Sequence, residues 1–122
     1  MTGPSLQNSR LPSMSFRILL ETPEGPYSFE CKEDQYVWDA AARDGILLPS
    51  ICRQGRCLTC AGRLLAGTVD QQDAESYFAE DQAAGFILLC RARPRSDLHI
   101  RTHQEQEMRA HRVANGLPAP YT

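Results

Sequence analysis

Residues 52–60 read CRQGRCLTC and place three cysteines on one short stretch of chain: Cys52, Cys57 and Cys60. A fourth cysteine, Cys90, follows after twenty-nine further residues, at the end of the apolar run FILLC. Chain positions 52 to 60 contain no hydrophobic periodicity, so this stretch is predicted to be a loop. A tight loop that gathers three thiolates and receives a fourth from a distant strand has the donor set of a four-thiolate metal centre.

Other uses of these cysteines fit the sequence less well. Core cysteines are not expected to gather within nine residues of one loop, and disulfides are disfavoured in an intracellular chain because thiols stay reduced there. Structural zinc sites usually pair their ligands in two short knuckles, whereas Cys90 has no neighbouring cysteine. The spacing C-x4-C-x2-C with a distant fourth cysteine matches the known ligand pattern of plant-type [2Fe–2S] proteins. One [2Fe–2S] cluster is the predicted cofactor, with zinc, disulfides and a core role as the alternatives.

Length and composition exclude several classes of protein. The chain has 122 residues, 42% of them hydrophobic, which suits one globular domain with a real core. The formal charge of −2 gives no basic footprint for nucleic acid. No apolar run is long enough for a membrane span or a secretory signal, so a cytoplasmic protein is expected. Residues 91–122 nevertheless hold six arginines against three acids, which makes this end basic.

Hydrophobic patterns predict a mixed arrangement of strands and helices. The predicted strands are 15–21, 27–31, 60–65, 86–89 and 98–101, and the predicted helices are 36–44, 80–84 and 104–114. Asp34 is the expected N-cap of the first helix, and Gly45 the residue that ends it. The last helix has a thin apolar face and is predicted to lie on the surface. Strands, one main helix and further strands indicate an α+β domain with one sheet.

Four longer stretches flank the cysteines in a recognisable order: WDAAARDGILLPS, CAGRLLAGTVDQQD, EDQAAGFILLC and ARPRSDLHIRTHQEQE. From Phe16 to about Glu107 the chain therefore resembles the plant-type [2Fe–2S] ferredoxins of cyanobacteria and chloroplasts. The resemblance implies a β-grasp fold (a ubiquitin-like roll) with a mixed sheet, one main helix and a surface [2Fe–2S] loop. It divides the chain into a flexible segment 1–14, a ferredoxin domain 15–107 and a C-terminal extension 108–122.

The same resemblance implies a soluble one-electron carrier and not an enzyme. Its electrons would come from photosystem I or a reductase donor and pass to downstream reductases, such as a ferredoxin–NADP⁺ reductase. We expect the protein to be a monomer and to lie in the cytoplasm of a bacterium, specifically a cyanobacterium. The sequence shows no nucleotide-binding glycine motif, no paired carboxylates and no set of nucleophile and base. It therefore gives no reason to expect catalysis. The alternative is an iron–sulfur sensor whose C-terminal extension engages a specific protein partner.

The predicted cluster loop departs from the family. The residues expected to surround the cluster are Arg53, Gly55, Arg56, Leu58 and Thr59. Arg56 stands where the family commonly has a small residue, and Ile51 and Leu58 stand where it commonly has serines. Fewer hydroxyl donors near sulfur should lower the midpoint potential, whereas a nearby guanidinium should raise it.

The predicted partner surface is also changed. Tyr77 is the candidate for an aromatic residue, and Glu105 for a glutamate, that support reductase binding in the family. Arg91, Arg93 and Arg95 follow the fourth cysteine where the family is usually neutral. They are predicted to be either a solvated arginine face or a docking patch for an acidic partner. The odd cysteine, Cys31, lies on a predicted strand and is expected to be buried, and His111 is expected at the surface.

Overall fold

The computed structural model of the chain describes residues 14–50 and 58–120. Seven strands and three α-helices form within these two ranges: β1 Ser15–Thr22, β2 Gly25–Lys32, α1 Val37–Arg43, β3 Ala61–Ala66, β4 Val69–Asp70, α2 Ala79–Ala84, β5 Phe86–Leu88, β6 Arg93–Pro94, β7 Leu98–Arg101 and α3 Glu105–Ala114. A 3₁₀ turn, Leu89–Arg91, follows β5. Within the described ranges, no helix combines the length and apolar character needed to cross a bilayer.

The hairpin of β1 and β2 begins the fold. The two strands pair antiparallel over their whole length, from Ser15 opposite Lys32 to Thr22 opposite Gly25. Alternate side chains point inward, so that Ile18 on β1 and Cys31 on β2 are fully buried. The buried position predicted for Cys31 is thus confirmed.

The main sheet has the order β2-β1-β7-β3-β5. Strand β1 runs parallel to β7, while the other neighbouring strands are antiparallel. Helix α1 buries Val37, Ala40 and Ala41 and packs against β2 and the 3₁₀ turn. A mixed sheet with one main helix is the β-grasp arrangement, so the predicted α+β fold class is confirmed.

A second sheet of two short strands, β4 and β6, stands beside the main sheet. Gly67 enters this region with φ +104, and a Cβ there would overlap the carbonyl oxygen of Asp97. Only glycine therefore fits this approach without strain. The sequence did not predict these strands, because two residues are too few to show a period.

The last helix lies at the surface as predicted, with Glu107 and Val113 exposed, but its inner face is buried more deeply than its thin apolar pattern indicates. Met108 and Arg112 of α3 are fully buried, as is Asp81 of α2. The Arg112 Nε donates to both carboxylate oxygens of Asp81, at 2.9 and 3.0 Å. The inward face of α3 thus contains a buried ion pair, which a search for apolar spacing does not detect. The predicted boundary between residues 107 and 108 falls inside this helix.

Candidate metal centre

Two of the four predicted ligands lie side by side at the end of the β3–β5 pair. Cys60 directly precedes β3, and Cys90 lies in the 3₁₀ turn that follows β5. Antiparallel pairing of Ala61 with Leu88 brings the two cysteines together, and the amide of Leu89 donates to the Cys60 carbonyl at 3.1 Å. The two thiols are almost completely buried. The register of one strand pair therefore positions both sulfurs.

The distance between the two sulfurs fits a shared metal ion. The Cys60 and Cys90 Sγ atoms are 3.2 Å apart. A disulfide would require about 2.05 Å. Thiolates placed tetrahedrally around a metal at about 2.3 Å would be separated by about 3.8 Å. The observed distance is too long for a disulfide between these residues. It is close to the distance between two sulfurs that bind the same metal ion, so a small movement of the side chains would allow ligation.

The other predicted ligands, Cys52 and Cys57, lie outside the described residues. So do three of the residues predicted to surround the cluster: Arg53, Gly55 and Arg56. Of the remaining two, Leu58 is fully buried and Thr59 is half-buried. Residues 14–50 and 58–120 alone contain no group of three metal-ligating side chains. A four-thiolate centre at Cys60 and Cys90 would therefore take its other ligands from residues 51–57, which lie outside the described ranges.

Two buried polar atoms beside this stretch have no hydrogen-bond partner among the described residues. They are Ser50 Oγ, which directly precedes residues 51–57, and Arg91 Nε, which directly follows Cys90. Buried donors are nearly always paired, so unsatisfied ones call for an acceptor. Sulfide and thiolate sulfurs are such acceptors. The donor set and these unsatisfied groups fit an iron–sulfur cluster.

A charged cluster lies next to Cys90. Arg91 Nη1 donates to the Tyr36 hydroxyl at 3.0 Å, and the guanidinium carbon lies 4.9 Å from the centre of the Tyr36 ring. The Tyr36 hydroxyl in turn donates to Asp73 Oδ2 at 2.5 Å. Arg93 pairs with the same Asp73 oxygen and also lies over the Tyr36 ring. We name these four residues the Tyr36 cluster.

Hydrogen bonds within the Tyr36 cluster fix its charges. The bond from Tyr36, followed by the bond from Arg93, lowers the pKa of Asp73 below its ordinary value. The bond to Tyr36 raises the pKa of Arg91. Arg95 is also engaged, because it pairs with Asp70 at 2.7 Å and donates to the Glu33 carbonyl. The solvated arginine face predicted for Arg91, Arg93 and Arg95 is seen only in part, because Arg95 is exposed whereas Arg91 and Arg93 are half-buried and held by Tyr36 and Asp73.

The two predicted partner-binding residues both have partners within the fold. Tyr77 is half-buried, its hydroxyl donates to the Phe86 carbonyl at 2.5 Å, and burial raises its pKa. Glu105 lies in the first turn of α3 and pairs with Arg109 at 2.8 Å. Neither residue lies near Cys60 or Cys90 in the sequence, and the fold does not test their role in docking.

Sequence reasoning missed Tyr36 and Asp73 as residues of the site. The hydrophobic pattern predicts Tyr36 as the first residue of the main helix, and Asp73 lies in none of the predicted strands or helices. The one available signal was the unusual arginine run after Cys90, since arginines can be held by anionic or aromatic side chains of the same fold. Sequence spacing does not identify them, because they lie 55 and 20 residues from the arginines that they hold.

Comparisons with known proteins point to the same kind of centre. The family described as 2Fe-2S iron-sulfur cluster binding domain matches residues 21–95. Ferredoxin-2 of Synechococcus sp. is 48% identical over 83 residues, which are 68% of this chain and 79% of that protein. The chloroplastic Ferredoxin-6 of Zea mays is 36% identical over 111 residues, which are 88% of this chain and 72% of that protein.

One similar solved structure is the cytochrome P450 reductase GcoB of Amycolatopsis. It superimposes with a TM-score of 0.59 at 31% identity, and the match covers 70% of this chain. The matched region is 26% of the reductase, so this chain corresponds to about a quarter of that protein.

Proposed function

We propose that this chain, which belongs to the plant-type ferredoxin family of 2Fe-2S iron-sulfur cluster binding domains, is a one-electron shuttle between separate redox proteins. Its cofactor is one [2Fe–2S] cluster. The family match and the ferredoxin relatives support an electron carrier in general. The particular electron donor and acceptor named below are part of our proposal.

The proposed ligands of the cluster are Cys52, Cys57, Cys60 and Cys90. The observation that carries this assignment is the 3.2 Å separation of the two described sulfurs, which suits two ligands of one iron. Cys52 and Cys57 would then bind the other. When bound, the cluster supplies reversible one-electron chemistry at a potential of roughly −400 mV in this class of protein.

The protein's own task is to hold the sulfurs, exclude water and offset charge. Leu58 and the buried cysteines restrict access of water to the site. Reduction adds negative charge to thiolate ligands that are already negative, and nearby N–H groups offset part of that cost. Ser50 and Arg91 have buried donors without partners in the described residues, so we assign this role to them. We propose the same role for Arg53, Gly55 and Arg56, which lie outside the described residues.

The proposed partners are redox proteins that meet the chain transiently in the cytoplasm. Reductases resembling ferredoxin–NADP⁺ reductase, and photosystem I as a donor, are the candidates, with Tyr77 and Glu105 as docking residues. A reductase as partner is supported by the cytochrome P450 reductase GcoB, in which a region similar to this chain belongs to the same polypeptide as the rest of the reductase. No bond of a substrate is made or broken, so a weak encounter of monomers steered by charge is sufficient.

Ligand variants with a matched control test the assignment. Cys60→Ser and Cys90→Ser should each lose most of the bound iron and the visible absorption, because each removes one of four thiolates. Cys31→Ser replaces another buried cysteine and should keep both. Iron and acid-labile sulfide are measured on the purified proteins. Full iron content in both ligand variants, or bound zinc without sulfide in the parent protein, would contradict the proposal.

A further inference from the structure

We propose that Arg91 is a fixed positive charge that stabilises the reduced cluster and so raises its midpoint potential. Tyr36 and Asp73 are the positioning residues that hold this charge beside Cys90. The inference rests on the proposed function, because it requires a reducible cluster bound by Cys90. It goes beyond that function by assigning the potential to a particular side chain outside the cysteine loop.

The backbone of Arg91 is fixed close to the proposed ligand. Arg91 is the residue after Cys90 and completes the 3₁₀ turn. The next residue, Ala92, is fully buried, and its carbonyl accepts the amide of Val37 at 2.8 Å. Because Val37 begins α1, the turn that contains Cys90 and Arg91 is tied to the start of the main helix.

The side chain of Arg91 is fixed as well. One end of its guanidinium is held by the Tyr36 hydroxyl and lies over the Tyr36 ring. The bond from Tyr36 to Asp73 orients the hydroxyl so that its lone pairs are available to Arg91. The Nε of Arg91 is buried and has no partner among the described residues. The guanidinium is therefore held from one side and keeps an N–H free for an acceptor.

The charges around Arg91 do not cancel its own. Arg93 is paired with Asp73, and Arg95 is paired with Asp70. Arg91 makes no ion pair with an acid in the described part of the chain, since its partner is the neutral Tyr36. The Tyr36 cluster thus has a net positive charge next to Cys90, where an added electron would increase the negative charge.

The size of the effect follows from the partial burial of Arg91. A guanidinium close to the cluster and half-shielded from solvent acts at an intermediate effective dielectric constant. We expect removal of this charge to lower the equilibrium constant for reduction by about threefold to tenfold. A tenfold change corresponds to a shift of about 59 mV in the midpoint potential of a one-electron couple.

Redox titration of the cluster-loaded protein and four variants tests the proposal. Arg91→Gln should lower the midpoint potential by the stated amount, while Arg91→Lys keeps the charge and should restore at least half of the shift. Tyr36→Phe removes the hydroxyl that holds Arg91 and should give a smaller downward shift. Arg95→Gln is the matched control, because it removes one positive charge that is already paired, and should leave the potential unchanged.

Three results would overturn the inference. An unchanged potential in Arg91→Gln would show that its charge does not reach the cluster. Equal shifts in Arg91→Gln and Arg95→Gln would show a general effect of net charge. An unchanged potential in Tyr36→Phe would remove the positioning role of Tyr36 and Asp73. Each variant must show the parent's iron content and visible spectrum. A parent protein without a reducible cluster would instead contradict the proposed function.

Discussion

Cys31 and Cys90 are both buried cysteines, but their surroundings prepare them for different chemistry. The Cys90 sulfur faces a second thiol at 3.2 Å. The Cys31 sulfur lies near the carbonyl oxygens of Lys32 and Gln35, which are acceptors and can only stabilise a protonated thiol. Burial accordingly raises the pKa of Cys31 to about 12. At the scale of single residues, a ligand site requires neighbouring thiols, whereas a lone buried thiol is inert.

Alkylation tests this difference. Because the pKa of Cys31 is raised, its thiol stays neutral at pH 8, and we expect no labelling by iodoacetamide in the folded, cluster-loaded protein. Peptide mapping by mass spectrometry should find Cys31 modified only after unfolding. The fold also favours the neutral thiol relative to the unfolded chain, so this residue's contribution to stability declines as the pH rises above about 9. Labelling of Cys31 at pH 8 with the visible spectrum intact would contradict this account.

The contact between α2 and α3 is the main feature at the scale of elements. Arg112 binds the Asp81 carboxylate and also donates to the carbonyls of Ser76 and Pro118, at 2.9 and 2.8 Å. Asp81 in turn accepts the amide of Phe78 at 2.9 Å. One guanidinium thus joins the last helix, the loop before α2 and the segment after α3. We propose that residues 108 to 120 are part of the folded domain and not a detached extension.

Removing the guanidinium should be costly. Arg112→Met removes the guanidinium from the buried carboxylate of Asp81, which keeps only the Phe78 amide and His111 Nε2 at 3.3 Å, and it leaves two carbonyl groups without their donor. We therefore expect a loss of about 3–5 kcal/mol in the free energy of unfolding. The double variant Asp81→Leu with Arg112→Met should recover part of this loss, because no unpaired charge remains. Urea unfolding of the cluster-loaded proteins measures both.

Glu107→Gln is the control for that experiment, because Glu107 is exposed on the same helix. It should change the free energy of unfolding by no more than about 0.5 kcal/mol. A loss below about 1 kcal/mol in Arg112→Met would show that the buried pair does not hold α3 in place. A double variant less stable than Arg112→Met would show that the unpaired Asp81 charge is not the cause of the loss.

The elements that local patterns define were predictable, and those that depend on distant contacts were not. Strand β1 follows from bulky alternation and α1 from helical spacing. The prediction of Asp34 as the N-cap of α1 was wrong. The N-cap is Tyr36, and its side chain makes no capping hydrogen bond. Arg112 was missed since a charged residue in an apolar pattern is normally placed outside. Only tertiary structure shows that Asp81 meets it.

At the scale of the whole molecule, the β-grasp sheet serves to deliver Cys90 to Cys60. The four-cysteine spacing was predictable because it is a property of the sequence itself. The arrangement of charged groups beside Cys90 could not be predicted, since Tyr36 and Asp73 come from two other parts of the chain and meet Arg91 only after folding. The arginines at the basic end of the chain largely pair within the domain, and the docking of an acidic partner there stays a prediction.

The central claim is that this fold holds one [2Fe–2S] cluster that takes up a single electron. Reduction of the purified, cluster-loaded protein with dithionite, followed by quantitative EPR, tests it most directly. We predict close to one unpaired spin per chain, together with bleaching of the visible absorption. A colourless and EPR-silent protein that contains zinc would contradict the account.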